Sequence, residues 1–387
     1  MQIRIEGGHA LIDGRLEAAS VHVDSASGTI GAIDGDDPAE QRIDASGLLV
    51  LPGIVDIHGD AFERQMMPRP GVDFPLDVAF LDSDRQAIAN GITTVFHGVT
   101  WSWEPGLRGP DNARAILQSL EDLGPRLGAD TRFHLRHETY NLDAEPEIIG
   151  WLAERRIGMI AFNDHMPVAA EAAGRARKAM QMVERSGLSH EQFVAVVERV
   201  RSRADEVPRS IERLAAAAGA AGVPLLSHDD TSPRQRQWFR ALGCRLAEFP
   251  TTIETAQDAA SEGDNIVLGA PNVVRGGSHT GWLDATEMVS RGLCSVLASD
   301  YYYPAPLLAA FALAARGVVP LAKAWTLVSE TPAAAVGLAD RGRISPGHRA
   351  DLIIVDAPPG GRPRVVATIV AGRIVHLAEA DRIVAAR

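Results

Sequence analysis

The sequence predicts an α/β fold: a (β/α)₈ TIM barrel with a small β-sandwich domain formed by both termini. Three observations predict it. Apolar strand-like runs alternate with Ala-, Arg- and Glu-rich helical stretches through the middle of the chain, the pattern of repeated βα units on a parallel sheet. Short alternating runs broken by Gly and Asp clusters occupy both ends. The length of 387 residues exceeds the ~250 of a bare barrel by about one modest module.

From Gln2 to Leu49 the breaks EGG, DGR, SASG and DGDD separate strand-like runs that read as an antiparallel meander. The same texture returns in GRISPGHRADLIIVDA and PRVVATIVAGRIVHLA. If the two ends pair, residues 1–50 and 343–387 make one discontinuous sandwich, and 51–342 form an inserted barrel domain. The expected barrel strands, in order, are LPGIVDIH, TTVFHGV, FHLRHE, GMIAFND, VPLLSH, CRLAEF, NIVLGAP and CSVLAS. Helical patterns such as NARAILQSLEDL and SIERLAAAAGAAG fall between them, and the interval from Met166 to Gly222 holds two more than a minimal unit needs.

A formal charge of -12 argues against a general polyanion-binding surface, which sets nucleic acid aside as a partner. Cys244 and Cys294, the only cysteines, cannot build a disulfide framework or a Cys-based zinc site and fit a reducing compartment. The opening residues alternate like a strand and lack the apolar core of a signal peptide. The most apolar stretch, Ala305 to Ala315, is shorter than the ~20 residues that span a bilayer and reads as a buried helix. A cytoplasmic enzyme with no membrane partner is the expectation.

Polar residues collect where the expected strands end, the face on which barrel enzymes build their sites. His58 and Asp60 lie two apart at the end of the first strand, so the period of two turns both side chains to one side. Glu138 closes the third strand, His165 the fourth, His228 the fifth and Asp300 the eighth. This is an N/O donor set suited to Zn²⁺, and also to Mn²⁺ or Fe²⁺, with one or two ions and Glu138 placed to bridge a pair. Asp300 is the candidate proton acceptor. A single histidine at a strand end is ordinarily hydrogen-bonded or solvated, and a strand-end Asp can simply cap a helix; six donors on one face change that balance. His97, His134 and His137 read as structural or supporting residues, and His9, His22, His190, His348 and His376 as surface positions.

A second group suits an anion. The Gly-rich stretch GAPNVVRGGSH after the seventh strand carries Arg275 and ends in His279, a second catalytic candidate, and MPRPGVDFP holds Arg69 between two prolines. Loop shaping and surface solubility account for such residues better when each is taken alone.

LPGIVDIHGD, GITTV and GRISPGHRADLIIVD resemble the amidohydrolase superfamily in order and spacing across almost the whole chain. The resemblance implies a metal site at the barrel strand ends and an Asp on the last strand as proton acceptor. Within the superfamily, HGDAFERQMMPRPGVDFP, LSHDDTS, AEFPTTIETA, GAPNVVRGGSHTG and ASDYYYPAPLL are similar to the diphosphatases of phosphonate utilisation, which act on alpha-D-ribose 1-methylphosphonate 5-triphosphate. That family carries His-x-Asp where most amidohydrolases carry His-x-His, as His58-Gly59-Asp60 does here. The resemblance implies that His58, Asp60, Glu138, His165, His228 and Asp300 hold metal or take the proton, that Arg69, Arg275 and His279 face a phosphate chain, and that pyrophosphate is released. After His165 the chain departs from it: MPVAAEAAGRARKAMQMVERSGL stands where the family has Ser-Pro-Gly-Gln and an aromatic-rich helix. Two other functions remain open, a cyclic amide or N-acyl substrate on the same metal site and a non-catalytic barrel scaffold. A homo-oligomer is compatible with the length.

Overall fold

Eight parallel strands, paired in chain order, organise the centre of the molecule among the described residues. They are β1 (Ile54–Gly59), β2 (Ile92–Trp101), β3 (Asp130–Glu138), β4 (Met159–Asn163), β5 (Leu225–His228), β6 (Leu246–Glu248), β7 (Asn265–Gly269) and β8 (Val296–Ala298). Each falls inside or around one of the eight runs expected from the sequence. The computed structural model describes residues 1–35, 38–69, 71–173, 176–278 and 283–385. Strands covered on both faces read as unbroken apolar runs, and β2 is buried along its whole length.

The barrel closes between β8 and β1. At the C-terminal end, Asp300 N donates to His58 O at 2.8 Å and Asp60 N donates to Asp300 O at 3.0 Å. The buried Asp56 carboxylate accepts from Ser299 N at 2.9 Å and from Ser299 Oγ at 2.5 Å. Lower down, the segment Leu327–Val328 enters the gap, with Leu327 O accepting from Leu297 N at 2.8 Å and Val328 O from Val55 N at 2.9 Å. Val55, Ile57, Phe96, Met159, Leu226 and Val267 fill the interior, and Ala333 and Val336 close its floor from the helix Glu330–Ala335.

The outer helices form where apolar residues recur at three- and four-residue spacing. In Pro110–Leu123 the positions Ala113, Ile116, Leu117, Leu120 and Leu123 are buried, and proline at the first turn needs no amide partner. They pack with Trp101, Phe133 and Trp151. Ala305–Ala315 is a helix whose Ala305, Pro306, Leu307, Ala309, Ala310 and Leu313 are buried, while Leu308, Phe311 and Ala312 on the other side are half-buried.

Two expectations are corrected. Between Met166 and the helix Val207–Ala221 the described residues form three further helices, Met166–Ala173, Ala176–Ser186 and His190–Arg201, where two were expected. The first two read as one because Met166 to Ser186 is a high-propensity run with a single glycine at Gly174, a weak stop signal. The terminal strands are not all antiparallel. Gln2–Glu6 runs parallel to Gln41–Asp44, and His9–Ile12 parallel to Leu49–Pro52. Alternation of apolar and polar residues is the same for both directions, so it carries no information on this point.

The two chain ends share both terminal sheets. Leu352–Asp356 pairs antiparallel with Leu49–Pro52, and Ile383–Ala385 pairs antiparallel with Gln41–Asp44. Ile3, Ile5, Val21, Val23, Leu352 and Ile354 lie in the core between the sheets. Among the described residues, no helix is long and apolar enough to cross a membrane.

A buried arginine fixes the ends of β5 and β6. Arg236, in the helix Pro233–Ala241, donates to Asp230 Oδ2 at 3.0 Å and to Leu246 O at 3.4 Å, and also reaches Ser227 Oγ and Cys244 O. Its Nε lies 3.3 Å from Asp264 Oδ2. Arg236→Leu leaves Asp230 buried without its cation and is expected to cost about 3–5 kcal/mol in urea unfolding. A loss below ~0.5 kcal/mol would make the network dispensable.

Candidate active site

The strand ends at the C-terminal mouth of the barrel bring histidines and carboxylates from six strands together. On β3 the period of two places His134, Arg136 and Glu138 on one side, while His137 turns the other way and packs its ring edge-on to Phe162. His58 lies in β1 and Asp60 directly follows it; His165 stands two residues past β4; His228 and Glu248 end β5 and β6; Asp300 stands two residues past β8. Asp229, Phe249 and Asp300 leave their strands with φ of 58°, 53° and 54°. Left-handed backbone is costly for residues with a Cβ and concentrates where a site over-determines it.

Pairing among these groups is dense. His58 Nδ1 lies 2.7 Å from Glu248 Oε1, and His165 Nδ1 lies 2.6 Å from Glu138 Oε1. The His165 amide donates to Glu138 Oε2 at 3.2 Å. Arg136 donates to Asp60 Oδ2 at 3.2 Å and lies 3.3 Å from His228 Nε2. Burial opposes charge on Glu138, yet the adjoining His165 ring and its hydrogen bonds hold the carboxyl down to about 2; Glu138 in turn lifts His165 to about 9. Glu248 is likewise held down to about 2 against burial, by His58. Burial takes His134 down to about 3, so its ring is neutral. Asp300 goes the other way, raised well above the usual carboxylate range by burial and then by the charge of Asp60.

Three sets of donors could each hold an ion, with donor atoms mutually within 4.8 Å: His58, His134 and Glu248; His165, His228 and Asp229; His58, Asp60 and Asp300. The fit of this donor set to a divalent metal is tested by what its buried atoms lack. Both ring nitrogens of His134 and Oε2 of Glu248 are buried without a hydrogen-bond partner among the described residues. Buried polar atoms are nearly always satisfied, and these three, in one cluster of imidazole and carboxylate, are of the kinds that could hold a divalent ion.

A cavity of about 270 Å³ opens over this cluster, with His58, Arg136, His228, Asp229, Asp300 and Tyr301 in its lining. At its rim the Tyr301 hydroxyl accepts from Arg275 at 3.4 Å, and the Arg64 guanidinium sits 5.6 Å from the centre of the Tyr301 ring. The sequence-derived donors His58, Asp60, His165, His228 and Asp300 thus meet at one mouth, and Glu138 joins them through His165. Arg275 reaches the mouth only through Tyr301. Arg69 is exposed on the loop after β1, is bridged to Val72 and does not line the cavity. His279 lies outside the described residues.

Sequence reasoning missed Arg136, Asp229, Glu248 and Arg64 and set His134 aside as supporting. The alternation in FHLRHE was the available signal: if Glu138 faces the mouth, so do Arg136 and His134. Of the histidines assigned to the surface only His9 is exposed. His22 is buried with its Nε2 2.9 Å from Gly35 O, because a strand with a covered face accepts a histidine whose ring finds a carbonyl.

Fold and strand-end donors define a barrel hydrolase of the amidohydrolase type. The amidohydrolase family model matches residues 104–376, and the chain belongs to that family. It is 34% identical over 321 residues to the alpha-D-ribose 1-methylphosphonate 5-triphosphate diphosphatase of Escherichia coli (strain K12), covering 81% of this chain and 85% of the relative. Among solved structures, dihydropyrimidinase from Brevibacillus agri NCHU1002 superposes with a TM-score of 0.66 at 14% identity, covering 97% of this chain and 95% of that one. D-hydantoinase from Bacillus sp. AR9 gives 0.65 at 16% identity with the same coverage. At such identities these two show the shared fold alone.

If the cluster is a metal centre, protein purified without chelator carries a stoichiometric divalent ion, and replacing His165 and His228 together with Ala removes it. Elemental analysis of both proteins decides; unchanged metal in the double variant would place the ion elsewhere.

Proposed function

We propose that this chain is a metal-dependent diphosphatase that releases pyrophosphate from alpha-D-ribose 1-methylphosphonate 5-triphosphate, or a related 5-triphosphorylated ribose compound, in phosphonate degradation. The observation that carries the reading is the likeness to the Escherichia coli diphosphatase over most of both chains. The geometry supports it with cations. Arg136 stands on the cavity floor, and Arg275 and Arg64 flank Tyr301 at its rim, where a neutral cyclic amide would use none of them.

In this reading His58, Asp60, Glu138, His165, His228 and Asp300 hold the metal, zinc foremost with Mn²⁺ or Fe²⁺ as alternatives. His134, Asp229 and Glu248 join them by their position. The chemistry a divalent ion supplies in such a donor set is Lewis acidity toward a phosphoryl oxygen and a water acidic enough to attack near neutral pH. The chain's own part is positioning and proton transfer. Asp300 Oδ1 or Oδ2 accepts the proton of the attacking water, a task suited to a carboxylate more basic than usual. Arg275 forks onto phosphate oxygens at the rim, with Tyr301 orienting it, and offsets the charge gathering on the departing pyrophosphate.

Asp300→Asn is expected to lower kcat by ~10²-fold or more with most of the metal retained. Near wild-type turnover would remove Asp300 from proton transfer. Arg275→Ala is expected to raise KM for a ribose 5-triphosphate by roughly ten-fold, with Lys recovering only part because an ammonium lacks the planar fork. Pyrophosphate release is the assay, with dihydropyrimidine and hydantoin rings as controls. A wild-type preference for those rings would sink the diphosphatase reading and leave the metal hydrolase standing.

A further inference from the structure

The sequence and the family leave the number of metal ions open, and the position of Arg136 bears on it. Its guanidinium touches one donor from each of two of the candidate sets: Asp60, which groups with His58 and Asp300, and His228, which groups with His165 and Asp229. An arginine has five donors, no acceptor and a permanent charge, so the His228 nitrogen facing it at 3.3 Å is the acceptor. The contact therefore competes with a metal for the His228 Nε2 lone pair, as the contact to Asp60 competes for one of its carboxylate oxygens; an ion in one set displaces the guanidinium from one partner and leaves it the other.

The side chain has little room to leave. Arg136 is 6% exposed, and its Nε is buried without a partner among the described residues. Its stem runs across Gly98 of the neighbouring strand β2, where a Cβ would come 3.1 Å from Arg136 Cδ, so the absence of a side chain at that position makes the channel in which the stem lies. If ions filled both outer sets at once, the guanidinium would have to give up both of its partners and remain buried as an unpaired charge, which is among the costliest states in a protein interior.

We propose that Arg136 takes the place of a second metal ion: the centre holds one divalent ion, and the guanidinium supplies the other positive charge between Asp60 and His228. The inference rests on the metal reading of the barrel mouth and not on which substrate is hydrolysed. It turns the centre from a pair of exchangeable ions into one ion beside a charge fixed in the chain.

Elemental analysis after exhaustive dialysis against zinc-free buffer, followed by zinc titration calorimetry, tests it without any activity measurement. Wild type is expected to retain about one zinc per chain, and Arg136→Met about two, or to bind a second zinc at least ~10-fold more tightly than wild type does. Arg136→Lys, which keeps a charge in the channel, is expected to stay near about one. Two retained ions in wild type, or an unchanged second-ion affinity in Arg136→Met of native thermal stability, overturns the proposal and leaves the metal reading intact. If Arg136→Met does not fold, the wild-type and Lys counts decide alone, and a count of about two in either one overturns the proposal. No retained metal in wild type overturns both readings together.

Discussion

The seam between the first and last barrel strands is the constraint on which the mouth of this molecule depends. Parallel strands from opposite ends of a barrel have no hairpin to hold them, and here the join is made by a buried carboxylate, Asp56, accepting from both the amide and the hydroxyl of Ser299. Burial pushes the Asp56 carboxyl up, and those two hydrogen bonds come first among the interactions that oppose it. Gly59 permits the crossing, because a Cβ there would stand 2.8 Å from Asp56 Oδ2 and 3.2 Å from Ser299 Oγ. Two backbone bonds then lock Asp300 between His58 and Asp60. The donors of the first and eighth strands are neighbours because the barrel is closed by these particular atoms.

Once the seam is fixed, the site is a problem of charge. Asp60, Glu138, Asp229, Glu248 and Asp300 converge within one mouth, and among the described residues the buried cation facing them is Arg136. Histidine rings soften the repulsion in pairs, His58 with Glu248 and His165 with Glu138, which holds those two carboxyls low while Asp300, facing Asp60, is lifted. Carboxylates within one cluster are thereby given different basicities by burial and by their neighbours. The left-handed turns at Asp229, Phe249 and Asp300 show the backbone strained at the same places.

The barrel was legible because a strand buried on both faces writes an unbroken apolar run, and eight of them stand in order along the chain. The strand-end residues stood out because six of them fall on one face of the barrel, although each alone has an ordinary structural use. Asp229 escaped notice among the polar residues of SHDDTS, and Glu248 because it stands one residue inside the run CRLAEF, flanked by Ala247 and Phe249. Arg136 escaped because an arginine within a strand reads as an exposed position; its place inside the cluster follows from the partners that β1 and β5 bring to it. Strand direction at the termini was invisible for a simpler reason: parallel and antiparallel strands share one alternation.

The shared terminal sheets set an order of events for a chain made from one end to the other. Gln41–Asp44 and Leu49–Pro52 finish early in synthesis, but their partners Ile383–Ala385 and Leu352–Asp356 emerge after more than three hundred further residues. Contacts at such separation form slowly, because the intervening loop must be closed before any of their energy is gained. A folded barrel shortens that loop by holding its two ends close. Before that, the N-terminal segment made first presents unpaired strand edges, the surfaces most prone to intermolecular pairing.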